Sequence, residues 1–578
     1  MSLIPQTQPD RLAWLLIVEA DTTYRFASED ISLVDQSGQA LACDSSLSAD
    51  EMTESVTGSG SSGTYAFPIP DYIEDIDAFL MSLTSGTTEV SLIPVDQNRS
   101  ANLSDRIVFR YGRIDEVTEA TGGKNLVSIT IVGNESDDLG NLCPTSNTID
   151  DRSFPTSPDD SKGKVVPFVY GQPGSYEYET NTNVSGVLTV VFGDVAWPSA
   201  FTSVPTRSTV TTGATPAYAV DREMVTLDPV GDGSVVFDVP WYPQNLVISA
   251  HPVDATSVEL WAKMDQGTTT WITSDVTPYT GYDRRGNPVS MIDLSTCTIA
   301  GATGLPADQA TLFQKASEWW VSWRYGGALQ GQTGTPEGNL GSLVRDVLRR
   351  STLPIDWSSV NAACTYLSRY KIGGYVDDTI SPADWVKDRI RSFGVAVRWT
   401  QAGFGLVVVD PQVSPGPVAR IVLGEDAEYD GNISYRDHSL DEIVVSWASA
   451  QSSQLAQRRV SSRIRRVGAP SIIGGDRTDE LSLPEVWDSS TAIAAGDLAI
   501  RLEGGYTEAK IQAPTAKTWW IRAGDHVQLV DDSRGWTESD DWIVMETRHT
   551  TDIYRPLVLR RYSPISTKAS ATLEDFSE

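Results

Sequence analysis

Histidine and serine residues of this chain show none of the spacings that are typical of a catalytic or metal-binding site. The nucleophile elbow G-x-S-x-G, the zinc-binding helix H-E-x-x-H and the P-loop are all absent from the sequence. The four histidines stand far apart: His251, His438, His526 and His549. His526 follows a turn and begins a predicted strand, where an ordinary exposed or half-buried histidine is far more common than a catalytic one. The sequence therefore predicts no catalytic residue, no cofactor and no metal site.

One short acidic segment partly matches a calcium-binding loop. Asp426, Glu428 and Asp430 alternate along the chain, Gly431 follows them, and Asp437 stands at the twelfth position. Such loops normally have a shorter side chain at the third position and a bidentate glutamate at the twelfth, between two helices. The flanking sequence here looks like strands. We therefore expect a solvated turn, with weak binding of a divalent cation as the alternative.

Gly58, Gly60 and Gly63 reproduce the glycine spacing of dinucleotide-binding sites. That spacing holds a pyrophosphate only between a strand and a helix, because the helix N-terminus binds the charge. The segment that follows, residues 65–70, contains two prolines and is predicted to be extended. We therefore expect a flexible loop.

Charged clusters are the remaining candidates for chemistry. Acidic residues gather at 71–77 and again at Glu538, Asp540 and Asp541, where paired carboxylates could hydrolyse a glycosidic bond. Because the chain has 77 acidic residues, such groupings are expected by chance. The one basic run, residues 458–466, is predicted to be a solvated strand face. A contact with an acidic neighbouring subunit or with phosphate is the alternative.

Composition favours a large soluble protein with several domains. The chain has 578 residues, 40% of them hydrophobic, which predicts about three to five domains with real cores. Its formal net charge of −33 repels phosphate backbones and argues against tight sequence-specific binding of DNA. We predict neither a signal peptide nor a membrane span. The cysteines are too far apart for a zinc ribbon or a disulfide framework and indicate a reducing site of synthesis: Cys43, Cys143, Cys297 and Cys364.

Hydrophobic alternation with a period of two predicts many short strands, with helices inserted among them. Strands are predicted at 24–33, 125–132, 187–192, 406–409 and 443–447. Helices are predicted at 70–83, 340–350, 381–394 and 491–502. The third helix is the clearest, because Ser381 can cap it, Pro382 suits its first position and Gly394 can end it in a left-handed conformation. The predicted fold class is mainly β, of the α+β type.

Three segments of the chain carry short sequence motifs that matter together, because they occur in a particular order. Residues 163–171 follow a G-x-x-V-P-x-V-Y-G pattern, and residues 373–410 run through a helix into a hairpin that ends at Asp410. Residues 491–561 follow the order helix, strand, P-G-D-x-V motif, strand, strand, with Ala523 in place of the proline. Together these segments resemble the hub proteins at the tail tip (baseplate) of siphophages and gene transfer agents.

This resemblance, with the polar segment 134–164 and the glycine-rich segment 326–341, predicts several β-barrel or β-sandwich hub domains and a small α/β domain. The predicted division is a first β-barrel hub domain at 1–140, a linker and connecting hub segment at 141–194, an inserted or peripheral β domain at 195–330, the small α/β hub domain at 331–417, a second β-barrel hub domain at 418–562 and a mobile acidic tail at 563–578.

The resemblance implies a structural function without catalysis. It implies a homotrimer whose two barrels per subunit form a pseudo-sixfold ring in the virion tail, assembled in the host cytoplasm. The implied partners are the distal tail protein, the tape-measure protein and the tail fibre or tip proteins, and DNA would pass through the lumen unbound. Two alternatives are a carbohydrate-binding surface β protein, whose tryptophans would stack on sugars, and a virion-associated cell-wall hydrolase.

Overall fold

Strands make up most of the secondary structure, which confirms the predicted mainly β class. The computed structural model describes most of residues 12–133, short segments between 163 and 323, and most of residues 338–572. Among these residues, no helix is both long enough and apolar enough to cross a bilayer.

The N-terminal part is a seven-stranded antiparallel sheet covered by one helix. Phe26 and Phe67 stack in its core with ring centroids 3.8 Å apart, and the helix adds Phe79 and Leu83. The sheet order is β2-β1-β8-β10-β11-β7-β5, and β3, β4 and β9 form a smaller sheet. The elements are β1 (Leu12–Glu19), β2 (Thr23–Ala27), β3 (Leu33–Val34), β4 (Ala40–Leu41), β5 (Ser48–Ala49), β6 (Met52–Ser55), β7 (Gly63–Pro68), α1 (Ile76–Leu83), β8 (Glu89–Asp96), β9 (Ala101–Asn102), β10 (Arg110–Ala120) and β11 (Leu126–Gly133).

Two N-terminal predictions change in detail. The predicted strand 24–33 is divided into β2 and β3, because the chain bends after Ala27, where the Ser28 N–H donates to the Trp14 carbonyl at 2.9 Å. The predicted helix 70–83 begins at Ile76, where the Asp75 carboxylate accepts a hydrogen bond from the Ala78 N–H at 2.9 Å. Residues 70–72 lie outside the described part of the chain.

The middle of the chain contributes strands in several small sheets. The order β13-β21-β17-β18 forms a four-stranded sheet, and β16-β20-β19 forms a three-stranded one. β13, from the predicted connecting segment, therefore pairs with the predicted peripheral domain. The strands are β12 (Phe168–Tyr170), β13 (Val187–Thr189), β14 (Thr226–Leu227), β15 (Val235–Val236), β16 (Asn245–Ser249), β17 (Val258–Met264), β18 (Thr270–Val276), β19 (Tyr279–Tyr282), β20 (Pro288–Asp293) and β21 (Ala316–Trp323).

The predicted small α/β domain contains three helices and a hairpin. The helix predicted at 381–394 has the expected ends. The Ser381 hydroxyl accepts a hydrogen bond from the Asp384 N–H at 3.4 Å, and Gly394, with φ of 66°, ends the helical segment. β12 pairs with the domain's first strand, with Phe168 opposite Val376. The elements are α2 (Leu340–Arg350), α3 (Trp357–Leu367), β22 (Gly374–Val376), α4 (Pro382–Ile390), β23 (Val395–Thr400) and β24 (Gly403–Val408).

The C-terminal part contains two sheets rather than one barrel. A barrel-like sheet has the order β25-β32-β33-β34-β31-β26, and a second sheet has the order β30-β28-β29-β35. The elements are β25 (Ala419–Val422), β26 (Glu428–Tyr429), β27 (Ser434–Arg436), β28 (Glu442–Ala448), β29 (Arg459–Arg466), β30 (Thr478–Leu483), α5 (Ser489–Leu502), β31 (Tyr506–Pro514), α6 (Thr515–Thr518), β32 (His526–Val530), β33 (Asp541–His549), β34 (Tyr554–Tyr562) and β35 (Thr567–Thr572).

The second sheet makes contacts across two of the predicted domain boundaries. β28, β29, β30 and α5 lie within the range 418–562 and share one hydrophobic core with α2, α3 and α4. β35 lies in the range 563–578, where a mobile tail was predicted, and it pairs with β29 over six residues from Thr567 to Thr572. Ladder hydrogen bonds, which a polar composition does not reveal, order this part of the tail.

The contact of α2 with α3 gives a stability prediction. A Cβ on Gly341 would lie 2.0 Å from the Cys364 carbonyl oxygen, so Gly341→Ala forces the two helices apart. We expect this variant to lose about 1–3 kcal/mol of unfolding free energy, the usual cost of overpacking. The control is Ala362→Ser, which adds one atom on the exposed side of α3. Denaturant unfolding of both variants measures the difference, and equal stability would contradict the close packing.

Candidate functional site

The two large β units are joined by a strand that leaves one sheet and pairs with the other. β5 and β7 pair in the N-terminal sheet, and β6 lies between them in sequence. β6 pairs antiparallel with the second half of β33, with Ser55 opposite Glu546 and Met52 opposite His549. The first half of that same edge of β33 pairs with β32. β6 therefore continues the barrel sheet from the point where the barrel's own strand stops.

A pair of tryptophans reinforces this joint. Trp519 is 7% exposed and belongs to the core of the N-terminal sheet, although it lies in the crossover between β31 and β32. Trp520 packs against both that core and the barrel core. The two rings are nearly perpendicular, with centroids 5.9 Å apart. Apolar surface of both units is thus buried in one continuous contact, which opposes their separation.

A fully buried arginine fastens the crossover to the barrel wall. Arg555 on β34 is 0% exposed, and its guanidinium donates to the carbonyls of Trp519 at 3.2 Å and Ile521 at 2.6 Å. It also donates to the hydroxyl of Thr547, which lies opposite Glu54 of β6. Arg555 therefore connects the tryptophan crossover with the strand on which β6 pairs.

The glycine–aspartate pair of the predicted P-G-D-x-V motif forms a second joint, between the barrel and the α/β domain. Gly524 has φ of 85°, and a Cβ there would lie 2.6 Å from Val407 of β24. Asp525 accepts a hydrogen bond from Arg398 of β23 at 2.5 Å and from the Arg522 N–H at 2.8 Å. The motif thus lets the hairpin approach the barrel closely and fixes its orientation.

A third joint is a buried carboxylate at the end of the hairpin. Asp410 is 1% exposed and accepts hydrogen bonds from Arg501 of α5 at 3.0 Å, from Arg369 at 3.0 Å and from the Tyr366 hydroxyl at 2.9 Å. Burial acts to raise the pKa of Asp410, but the Gln412 N–H and these donors outweigh it and hold the pKa below its usual value. Asp410 is therefore a charged anchor for three elements.

The carboxylates of the acidic cluster at 538–541 each contact a basic side chain. Glu538 contacts Arg420 at 2.7 Å, Asp540 contacts Arg561 at 2.7 Å, and Asp541 contacts His526. Each carboxylate therefore faces its own cationic or imidazole partner. His526 itself is 1% exposed, with Nδ1 2.7 Å from Asp541 Oδ2, so it is more deeply buried than the sequence suggested.

The carboxylates of the calcium-like segment have separate partners. Asp426 accepts hydrogen bonds from the Val422 N–H and the Lys517 ammonium, both at 3.1 Å. Asp430 accepts one from Gln512 at 2.9 Å, and Glu428 lies in β26. Asp437 lies outside the described residues. Within the described part of the chain, no group of three or more His, Cys, Asp or Glu residues could hold a metal ion.

Several other predicted positions can be placed. Gly63 begins β7 and His549 ends β33, whereas Gly58, Gly60, His251 and His438 lie outside the described residues. Cys43 and Cys364 are free thiols, and burial raises the pKa of Cys364 to about 11. Cys143 and Cys297 lie outside the described residues. Among the residues whose side chains are described, six tryptophans are buried and contribute to cores: Trp14, Trp385, Trp447, Trp519, Trp536 and Trp542.

Two parts of the joint, Arg555 and β6, were not among the predicted functional residues. Arg555 has a detectable signal, because it alternates with Leu557 and Leu559, the two buried core residues of β34. An inward position for Arg555 therefore follows from the period of two. β6, with the sequence Met-Thr-Glu-Ser, has no such signal, since only the edge of β33 gives it a partner.

Comparisons with known proteins return phage tail proteins among the solved structures, and neither a family model nor a curated protein matches the chain. The tail protein from Neisseria meningitidis MC58 has a TM-score of 0.33 at 10% identity, over 95% of this chain and 96% of that one. The 43 kDa tail protein of prophage MuSo2 from Shewanella oneidensis also has a TM-score of 0.33 at 10% identity, over 95% and 98%. The Francisella PdpA–VgrG complex, lidded, has a TM-score of 0.30 at 6% identity, over 97% and 54%.

Paired proline variants test the strand joint. Alternate N–H groups of a strand point to the same neighbour, so only one of the adjacent residues Thr53 and Glu54 donates towards β33. Proline at that residue removes a ladder hydrogen bond, and we expect a loss of about 1–3 kcal/mol of unfolding free energy. Proline at the other residue is the internal control. Denaturant unfolding that shows equal losses for Thr53→Pro and Glu54→Pro would contradict the pairing.

The buried carboxylate predicts a pH dependence of stability. Because the folded-state pKa of Asp410 lies below the ordinary value of 3.8, its contribution is present above that pH and is lost as the pH falls through the folded-state pKa. We expect Asp410→Asn to lose about 1–3 kcal/mol at neutral pH, because the buried Arg501 loses one of its two carboxylate partners and keeps only Asp497. The variant should also show a shallower loss of stability below about pH 4.

The control for this variant is Asp479→Asn, at an exposed position of β30. Denaturant unfolding at a series of pH values compares the three proteins. The assignment of Asp410 as a charged anchor would be wrong if Asp410→Asn kept the wild-type acid dependence.

Proposed function

We propose that this chain is a structural hub subunit at the tail tip (baseplate) of a tailed bacteriophage or gene transfer agent, and that three copies form a ring. The observation that carries this proposal is the strand joint, in which β6 of the N-terminal unit completes the sheet of the C-terminal barrel. Three subunits can imitate a sixfold ring only if each holds its two β units at a fixed angle. β6 lies between β5 and β7 of the N-terminal sheet in sequence but pairs with the barrel strand β33, and tryptophans are buried across the same contact, so the two units are held together at a fixed angle.

The arrangement of the family-like segments also supports the proposal. The segment at 163–171 and the segment at 373–376 are about 200 residues apart in sequence, yet β12 and β22 pair directly. The Gly524–Asp525 pair of the third segment contacts the hairpin of the second. Segments that resemble one family separately are therefore neighbours in one structure.

The proposed work of the hub is mechanical. The ring would join the tail tube and distal tail protein to the tape-measure protein and the fibre or tip proteins. With a net charge of −33, a lumen lined by this chain would repel DNA and let it pass unbound. We also propose the domain division 1–140, 141–194, 195–330, 331–417, 418–562 and 563–578, with β28–β30 and α5 packing on the α/β domain and β35 pairing with β29.

The oligomeric state tests the proposal. We expect the purified chain to have a mass of three times 62.8 kDa by light scattering coupled to size exclusion, because ring closure requires three copies. Immunogold labelling of assembled particles should then mark one tip of the tail. A chain that stays monomeric at all concentrations and is absent from particles would contradict the proposal.

A further inference from the structure

The sheet β30-β28-β29-β35 is covered by α5 on one face, and its other face is exposed at the end that carries Arg463, Lys568 and Val467. We call this exposed end the open face; Ser461, farther along the same face of β29, is 5% exposed. On the covered face, Ile464 and Val445 lie 2.7 Å from the position of a Cβ on Gly496 of α5. Because side chains alternate along a strand, residues at odd positions of β29 point away from α5. Arg463 is 51% exposed and Val467, just after the strand, is 58% exposed. This open face carries part of the basic run that the proposed function does not use.

Like charges lie next to each other on this open face. Arg465 of β29 stands directly opposite Lys568 of β35, and Arg463 lies two residues away along β29, opposite Ser570. Glu442 of β28 is 3.8 Å from Arg463 and stands opposite Arg465. Like charges directly opposite each other destabilise a sheet. An anionic partner on this face would remove that repulsion, and Val467 offers it an apolar contact.

The N-terminal end of α1 has the complementary surface. Glu74 and Asp77 are exposed there, and the neighbouring Asp75 already caps the helix. Met81 is 74% exposed and follows Asp77 by four residues, so the two side chains lie on the same side of the helix. This surface is complementary to the open face of the sheet: the Asp77 carboxylate can pair with the Arg463 guanidinium, and Met81 can pack on Val467. A phosphate polymer would offer the valine no apolar group.

We propose that the open face of this sheet in one copy receives the N-terminal end of α1 from a second copy. Arg463 and Lys568 pair with Glu74 and Asp77 of the neighbour, and Val467 packs on its Met81. The two surfaces are different, so the contact is heterologous. Such contacts close into a ring when the rotation that relates neighbouring copies returns to the starting copy. The inference rests on the proposed trimer and names the contact that holds it.

Charge reversal tests the contact in the full-length chain. Arg463→Glu with Lys568→Glu places like charges against Glu74 and Asp77, and this repulsion destabilises the interface. We expect the concentration at which half of the trimer dissociates to rise at least ~10-fold. Glu74→Lys with Asp77→Lys should have the same effect, and the protein carrying all four substitutions should recover the trimer. The control is Arg349→Glu with Arg391→Glu, an equal change of net charge at two exposed positions.

Mass photometry at a series of concentrations measures dissociation, and circular dichroism checks that each variant folds. A wild-type chain that never trimerises overturns the proposed function itself. A wild-type trimer that survives both reversals overturns only this contact. The contact is also overturned if both reversals dissociate the trimer and the four-substitution protein does not recover it. Recovery in that protein, with no effect of the control, supports the contact.

Discussion

The rest of the structure depends on the backbone pairing of β6 with β33. Without it, the N-terminal sheet and the C-terminal barrel would be connected mainly by chain segments and by the contacts of the tryptophan crossover. With it, the barrel sheet includes a strand, β6, from the N-terminal part of the chain. Main-chain hydrogen bonds are directional, so the pairing restricts rotation as well as separation. Trp519 then inserts an aromatic ring of one unit into the core of the other.

Besides this pairing, buried charged side chains connect secondary-structure elements that lie far apart in sequence. Asp410, Asp441 and Arg555 are each 1% exposed or less, and each contacts groups from other elements. Asp441, for example, accepts hydrogen bonds from Arg466 at 2.7 Å and from Arg477 at 2.9 Å. Burying a charge is costly unless donors or acceptors surround it, so each of these groups favours the arrangement that supplies its partners. These contacts agree with the proposed function, which requires a fixed angle between the two β units of each subunit.

The histidine and the acidic side chains that the sequence offered as candidate functional residues also connect structural elements. His526 with Asp541, and Arg561 with Asp540, join neighbouring strands of the barrel. Gly524 and Asp525 set the approach of the hairpin. The charged residues of the barrel therefore connect secondary-structure elements to one another, which agrees with a proposed function based on shape and assembly.

The sequence by itself determined the local elements and the class of the fold. The helix at 340–350 and the start of the helix after Ser381 follow from capping residues and periodicity, and the strands at 126–133 and 442–448 follow from alternation. These signals act between residues a few positions apart, so they can be read along the chain.

Only the tertiary structure decided which elements meet. β6 needs an edge almost 500 residues away, β35 needs β29, and α5 needs the face of β28 and β29. The burial of His526 and the partners of Asp410 likewise arise from distant elements. Strand edges and buried charges are satisfied by whichever partner the whole fold brings near, and no spacing along the chain encodes that choice.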